Sequence, residues 1–148
     1  MSTYTQILYQ VIFGTKRREK IMTKSKREDL YKYMTGVLQA KKCHVYRING
    51  VEDHLHILID LHPEVALASL IKDLKISSGK FIKDKKLFKN FKGWQKGYGA
   101  FTYSIDRKKI LIEYIKNQEE HHRKKSSREE LIKLLKKHGI DYDEKYLE

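Results

Sequence analysis

Cysteine occurs once in the 148 residues, as Cys43, so no disulfide can form within the chain and no thiolate cluster can hold zinc. That scarcity favours a reducing, cytoplasmic setting, and Cys43 itself reads as a small buried hydrophobe at the start of a strand. Long apolar runs are also missing. None approaches the ~20 residues of a membrane helix, and the opening Met-Ser-Thr-Tyr-Thr-Gln carries no basic region followed by an apolar one. A soluble protein without a membrane partner is expected. Proline occurs once, as Pro63, and no repeat, linker or low-complexity block interrupts the chain. One domain, large enough to bury a core unaided, suits this length.

Acidic residues are the minority charge. There are 19 Asp and Glu against 32 Lys and Arg, a formal charge of +13. A folded surface this positive attracts a polyanion over long range, and nucleic acid is the default partner. A membrane surface fits less well, because the basic residues form no compact amphipathic anchor backed by Trp or Phe.

The apolar pattern divides the chain into alternating element types. Residues 4–13 read as a strand with Ile7, Tyr9, Val11 and Phe13 on one face, ended by Gly14. A basic turn at Lys16, Arg17 and Arg18 leads to a helix over about 26–42, capped by Ser25, with Leu30, Tyr33, Met34, Val37 and Leu38 at helical spacing. Residues 43–48 form a second strand, and Asn49-Gly50 signals a tight turn into a third, antiparallel strand that Pro63 closes. A second helix follows, with Leu67, Leu70, Ile71, Leu74, Phe81 and Ile82 inward. A fourth strand is expected over 98–104, then a third helix capped by Asp106 and running to about 124. Ser127 with Glu130 fits a capping box for a last helix bearing Leu131, Leu134 and Leu135, and Gly139 ends it. The economical arrangement is α+β: a ferredoxin-like β-α-β-β-α-β antiparallel sheet with helices on one face, the other face free for a ligand, and appended C-terminal helices.

The third strand carries the chemistry. In His54-Leu55-His56 the alternation of a strand puts both imidazoles on one face and Leu55, Ile57 and Ile59 on the other. Two neutral imidazoles so placed can grip one divalent ion if a third ligand comes from elsewhere. On the third helix Tyr114, Gln118, His121 and His122 share one polar stripe at i, i+4, i+7 and i+8. The carboxamide oxygen of Gln118 can complete the site, leaving positions open for phosphate and water. Such an open site beside bound nucleic acid suggests phosphodiester chemistry, with Tyr114, one turn from Gln118, as a nucleophile whose phenolate a cation would stabilise. In residues 83–97, Lys83, Lys85, Lys86, Lys89, Lys92 and Lys96 are interleaved with Phe88, Phe91 and Trp94, a mixture suited to phosphates and unpaired bases. The alternative for those aromatics is a solvated loop whose rings tuck into the core.

His54-Leu55-His56 resembles the HUH motif, and Tyr114 with Gln118 resembles the nucleophile helix of the single-tyrosine HUH transposases of small bacterial insertion sequences. Val11-Ile12-Phe13-Gly14-Thr15-Lys16, Asp53, and Trp94-Gln95-Lys96-Gly97-Tyr98-Gly99-Ala100-Phe101 extend the resemblance over roughly residues 5–122. It places a transposase domain at 1–124, with 125–148 a helix and tail of the same domain. It implies His54, His56 and Gln118 as ligands of Mg²⁺ or Mn²⁺ and Tyr114 as the nucleophile. It also implies single-stranded DNA hairpins at element ends as substrates, cut to a 5′-phosphotyrosine and a free 3′-OH, and a homodimer whose subunits share active sites. His121 and His122 receive no role from it. Two rivals remain: a non-catalytic nucleic-acid-binding module built on the same sheet, and a domesticated REP-associated relative acting on genomic palindromes.

Overall fold

The computed structural model describes residues 1–147. Four strands, β1 (Leu8–Gly14), β2 (His44–Gly50), β3 (His54–Asp60) and β4 (Gly99–Tyr103), form one antiparallel sheet in the order β2-β3-β1-β4. The helices are α1 (Lys24–Ala40), α2 (Leu67–Asp84), α3 (Lys108–Lys116), the single-turn α4 (Gln118–His122) and α5 (Ser127–Lys137). This is the expected ferredoxin-like arrangement, with α1 crossing from β1 to β2 and α2 from β3 to β4.

Strand alternation divides the sheet into two chemically different faces. On one, Val11, Phe13, Leu55, Ile57 and Ile59 pack against Leu30, Met34 and Leu38 of α1 and Leu70, Ile71 and Leu74 of α2. Each of these side chains is almost wholly buried, and burial of each contributes roughly 1.5–3 kcal/mol. Cys43 is buried in the same core. On the other face stand Leu8, Gln10, Ile12, His54, His56, Leu58 and Phe101. This second face is not open. Leu111 and Ile115 of α3 cover Leu8 and Leu58, while Leu134 and Leu135 of α5 cover Ile12 and Phe101. The apolar stripes of the C-terminal helices need an apolar partner, and the second face of the sheet supplies it.

Local details depart from the sequence expectations where tertiary contacts take over the capping groups. Helix α1 begins at Lys24 after Thr23, whose side chain makes no capping bond, and not at Ser25. Asn49 and Gly50 lie within β2, and the turn falls at 51–53, closed by Val51 N donating to His54 O at 3.0 Å. Asp106 sits in a 3-10 turn, where it accepts from the Ser104 hydroxyl and does not cap α3. The long third helix is broken at Asn117 (φ −96°, ψ 24°) into α3 and α4. There the Asn49 side-chain amide donates to Ile115 O at 2.9 Å and Lys116 O at 3.0 Å. Those carbonyls would otherwise accept from the next helical turn.

The last helix is capped one residue earlier than its sequence predicts. Ser126 accepts from Glu129 N at 3.1 Å, while the Ser127 hydroxyl donates to Asp53 Oδ2 at 3.2 Å. Glu130 is therefore no capping partner; it turns toward the sheet. A β-bulge interrupts the pairing of β2 with β3 between Val45 and Arg47.

Gly50 closes the β2–β3 hairpin so tightly that a Cβ there would fall against His54 O and 2.8 Å from Leu55 Cα, whereas Gly36, within α1, has open space around it. Gly50→Ala should lower unfolding free energy by about 1–3 kcal/mol. Gly36→Ala should raise it by roughly 0.5–1 kcal/mol. Denaturant melts of the two variants beside the parent protein measure both.

Candidate active site

The two strand histidines meet the polar stripe of the third-helix region around one carboxylate. Oε1 of Glu130, reaching back from α5, lies 3.2 Å from His54 Nε2, 2.9 Å from His56 Nε2 and 3.1 Å from His122 Nε2. Its other oxygen, Oε2, accepts from the Tyr114 hydroxyl and, at 3.2 Å, from the Gln118 amide. Gln118 Oε1 lies 3.1 Å from His122 Nε2, the His56 and Tyr114 ring centroids are 5.9 Å apart, and His121 leans on Tyr114 at 4.6 Å. Every residue of the expected clamp and stripe is thus brought to one place. Ligand atoms of His54, His56, His122 and Glu130 all lie within 4.8 Å of one another, a group that can hold a metal ion.

The outer nitrogens of both strand histidines are also engaged. His54 Nδ1 lies 2.7 Å from Asp53 Oδ1, and His56 Nδ1 lies 2.9 Å from the Gln10 side-chain amide, which in turn accepts from the Tyr103 hydroxyl at 2.9 Å. Ring orientation is therefore set from the far side, the usual way a protein aims an imidazole at a cation. Both imidazoles are buried, among polar partners on the face opposite the aliphatic core.

Charge in this pocket is arranged by burial and by close partners. Burial disfavours the Glu130 carboxylate, yet hydrogen bonds from His122, His54 and His56 outweigh it and hold the carboxyl far below its ordinary range. His54, which burial alone would depress, is raised by its bonds to Asp53 and Glu130. His56 is pushed down because its complete burial outweighs the pull of Glu130. Burial, with the Glu130 charge beside it, pushes the Tyr114 phenol well above its usual range, so it stays protonated here.

Three of these residues have no functional reading in the sequence alone. The spacing of Glu130 from Ser127 suggests a helix cap; the signal for another role is its place one turn before Leu134, on the buried side of an otherwise apolar stripe. Gln10 stands between Leu8 and Ile12 on the same face of a largely buried strand, where an uncompensated amide would be costly. His122 belongs to the polar stripe, but nothing in its spacing sets it apart from His121.

The basic residues divide into two regions. Arg18 donates to Ser127 Oγ at 3.0 Å and, with Lys96, Gln95 and Tyr98, lines a cavity of about 220 Å³ that reaches His54. Lys16 and Arg17 lie on the same turn, and Lys83 in the last turn of α2 and Lys85, Lys86, Lys89 and Lys92 after it are exposed. Trp94 departs from the expected stacking role. Its indole donates to Ser78 Oγ at 3.0 Å and packs edge-on against Phe13 and Phe91, while Phe88 is buried. The aromatics of 83–97 thus brace the loop from within, and its lysines face outward.

A model of the family described as "Transposase IS200 like" matches residues 3–118. The chain belongs to the IS200-like transposase family. This DNA-processing family membership agrees with curated relatives: the transposases for insertion sequence element IS200 of Salmonella typhimurium and Salmonella typhi are each 24% identical over 115 residues, covering 74% of this chain and 75% of theirs. Two solved structures share the fold. A putative transposase from Deinococcus radiodurans superposes with a TM-score of 0.60 at 18% identity over 80% of this chain and 95% of that one. A REP-associated tyrosine transposase bound to a REP hairpin gives 0.58 at 14% identity, over 82% and 74%. Among the described residues no helix is long and apolar enough to cross a membrane. The family match ends at Gln118, so His122 and Glu130 of this transposase lie beyond it.

Tyr114 is positioned by α3, and the C-terminal end of α3 is fastened to β2 by Asn49. Asn49→Ala should remove about 1–2 kcal/mol of stability, the worth of hydrogen bonds to otherwise unpartnered carbonyls. Hydrogen exchange should show faster opening confined to residues 113–122, with the β1–β3 pairing unchanged; uniform acceleration would mean that Asn49 supports the whole sheet.

Proposed function

We propose that this transposase cleaves and rejoins single-stranded DNA through a covalent link to Tyr114, with a divalent ion held at His54, His56 and Gln118. The observation that carries the reading is the convergence of the Tyr114 hydroxyl and both strand imidazoles on one small polar volume. Three imidazoles and a carboxylate, with the Gln118 carboxamide oxygen 3.1 Å from His122 Nε2, are donors suited to a divalent cation such as Mn²⁺ or Mg²⁺. When bound, the cation polarises the scissile phosphate and stabilises the phenolate.

The chain's own residues supply the rest. Tyr114 presents its hydroxyl oxygen to phosphorus; the new O–P bond forms as the P–O3′ bond breaks, giving a 5′-phosphotyrosine and a 3′-OH. The phenol gives up a proton and the leaving oxygen takes one up, so none is consumed. Reversal by another 3′-OH rejoins a strand without ATP. Arg18 and Lys96 in the cavity beside His54 are placed to hold backbone phosphates near the clamp, and the outward lysines of 83–97 to hold more distant ones.

The REP-associated relative was solved bound to a REP hairpin, and a hairpin with a single-stranded flank is the substrate class proposed here. A single chain brings its own Tyr114 to its own histidines, so cleavage in cis needs no exchange of helices between subunits, although the homodimer of the family resemblance is compatible with it. The reading as a passive module is disfavoured by the covered sheet face: α3 and α5 occupy the surface on which RNA-recognition modules stack bases.

Incubation with a labelled hairpin-plus-flank strand and Mg²⁺ or Mn²⁺ should yield a denaturant-resistant adduct that Tyr114→Phe abolishes while hairpin binding persists. Binding without any adduct, across varied flanks and both metals, overturns the enzymatic reading. Replacing Lys89 and Lys92 with Ala should weaken hairpin binding and flatten the slope of log K against log salt by about one unit for each phosphate that a lysine neutralises. An unchanged slope would remove this loop from the DNA interface.

A further inference from the structure

We infer that Glu130 and His122, which lie outside the family-matched segment, are direct ligands of the divalent ion beside His54 and His56. They make a site of three imidazoles and one carboxylate that selects a transition ion over Mg²⁺. This refines the proposed function, with Glu130 and His122 replacing Gln118 as ligands, and rests on its assignment of the strand histidines as a metal clamp.

The geometry sets Glu130 apart from Gln118. Its Oε1 is within hydrogen-bond distance of all three imidazole Nε2 atoms, whereas Gln118 Oε1 approaches His122 alone and its nitrogen is turned to Glu130 Oε2. Glu130, His54 and His56 are at most 5% exposed. A carboxylate oxygen and three ring nitrogens within 4.8 Å of one another are close enough to turn their lone pairs together onto one cation.

The far sides of the rings are compatible with a bound cation. Asp53 accepting from His54 Nδ1 would then leave the Nε2 lone pair pointing inward, in place of the N–H that Glu130 accepts in the metal-free site, the arrangement by which carboxylates support metal-bound histidines. For His56 the same tautomer needs Gln10 turned so that its oxygen accepts from Nδ1, and its nitrogen then donates to the Tyr103 hydroxyl. Both partners remain satisfied. Gln118, bonded to His122 and Glu130, is a positioning residue for two ligands.

Donor type fixes the class of ion. Imidazole nitrogen suits Mn²⁺, Co²⁺ and Zn²⁺, and affinity rises along the first row, whereas Mg²⁺ prefers oxygen ligands and retained water. Four protein ligands would still leave an ion that prefers more than four donors room for phosphate and water.

Isothermal titration of the metal-free protein with Mn²⁺ and with Mg²⁺, and Co²⁺ absorption as a direct report on coordination, test this without reference to activity. The wild type should bind Mn²⁺ more than about tenfold tighter than Mg²⁺. Glu130→Gln should weaken Mn²⁺ binding by at least about tenfold and change the Co²⁺ spectrum, whereas Gln118→Ala, which removes a support of two ligands and no ligand, should weaken binding by about tenfold and leave the Co²⁺ spectrum like that of the wild type. Circular dichroism identifies any variant that has lost its fold, and His122→Ala provides an independent test of the same donor set, expected to weaken Mn²⁺ binding by at least about tenfold. Glu130→Gln binding like the wild type, a Co²⁺ spectrum altered by Gln118→Ala as it is by Glu130→Gln, or equal affinity for the two ions overturns the inference. In those cases a loss of binding in a His54→Ala, His56→Ala protein still upholds the clamp. Binding that survives that double replacement overturns both.

Discussion

A buried carboxylate holds the second half of this structure together. Glu130 is 5% exposed, and an ionised group so far from water persists only if other groups replace its hydration. His54 and His56 from β3, Gln118 and His122 from α4, and Tyr114 from α3 do so. Removing these partners would leave a charge in a low-dielectric pocket, so the docking of α5, the orientation of both strand imidazoles and the approach of Tyr114 are coupled to one another. The apolar contacts of Leu134 and Leu135 bring the helix to the sheet, and the carboxylate decides its register there.

Most of the scaffold follows from short-range pattern. Alternation over β1 and β3, the spacing of apolar residues in α1 and α2, and glycine near the strand ends suffice to derive a four-stranded sheet with two crossing helices. The His54–His56 pair and the Tyr114–Gln118 stripe are equally local, because each depends only on the period of its own element. What cannot be read locally depends on contacts between distant segments. Ser127 and Glu130 have the spacing of a capping box, yet Asp53 claims the hydroxyl and the histidines claim the carboxylate. Asn117 gives no strong signal to break a helix; the break depends on Asn49, far away in sequence. Gln10 gains meaning only when His56 is known to stand beside it.

The basic surface and the histidine pocket differ in charge. A chain with a formal charge of +13 places lysines outward over residues 83–97 and Arg18 and Lys96 on the cavity next to His54, while the acidic residues Asp53 and Glu130 lie beneath, enclosed with the imidazoles. The outer field suits a phosphate backbone, and the inner carboxylates suit a cation. Trp94 and Phe88 stiffen the basic loop from below, so the lysines project from a braced segment rather than from a floppy one.

The bulge between Val45 and Arg47 has a consequence for how the protein keeps to itself. Strand β2 is an outermost strand, and its unpaired amides and carbonyls form a template onto which a stray extended chain can add. An extra residue there twists the backbone out of flat register, and the exposed side chains of His44 and Arg47 sit along the same margin. Indiscriminate strand addition, and the aggregation that follows from it, is thereby discouraged at the open side of the sheet.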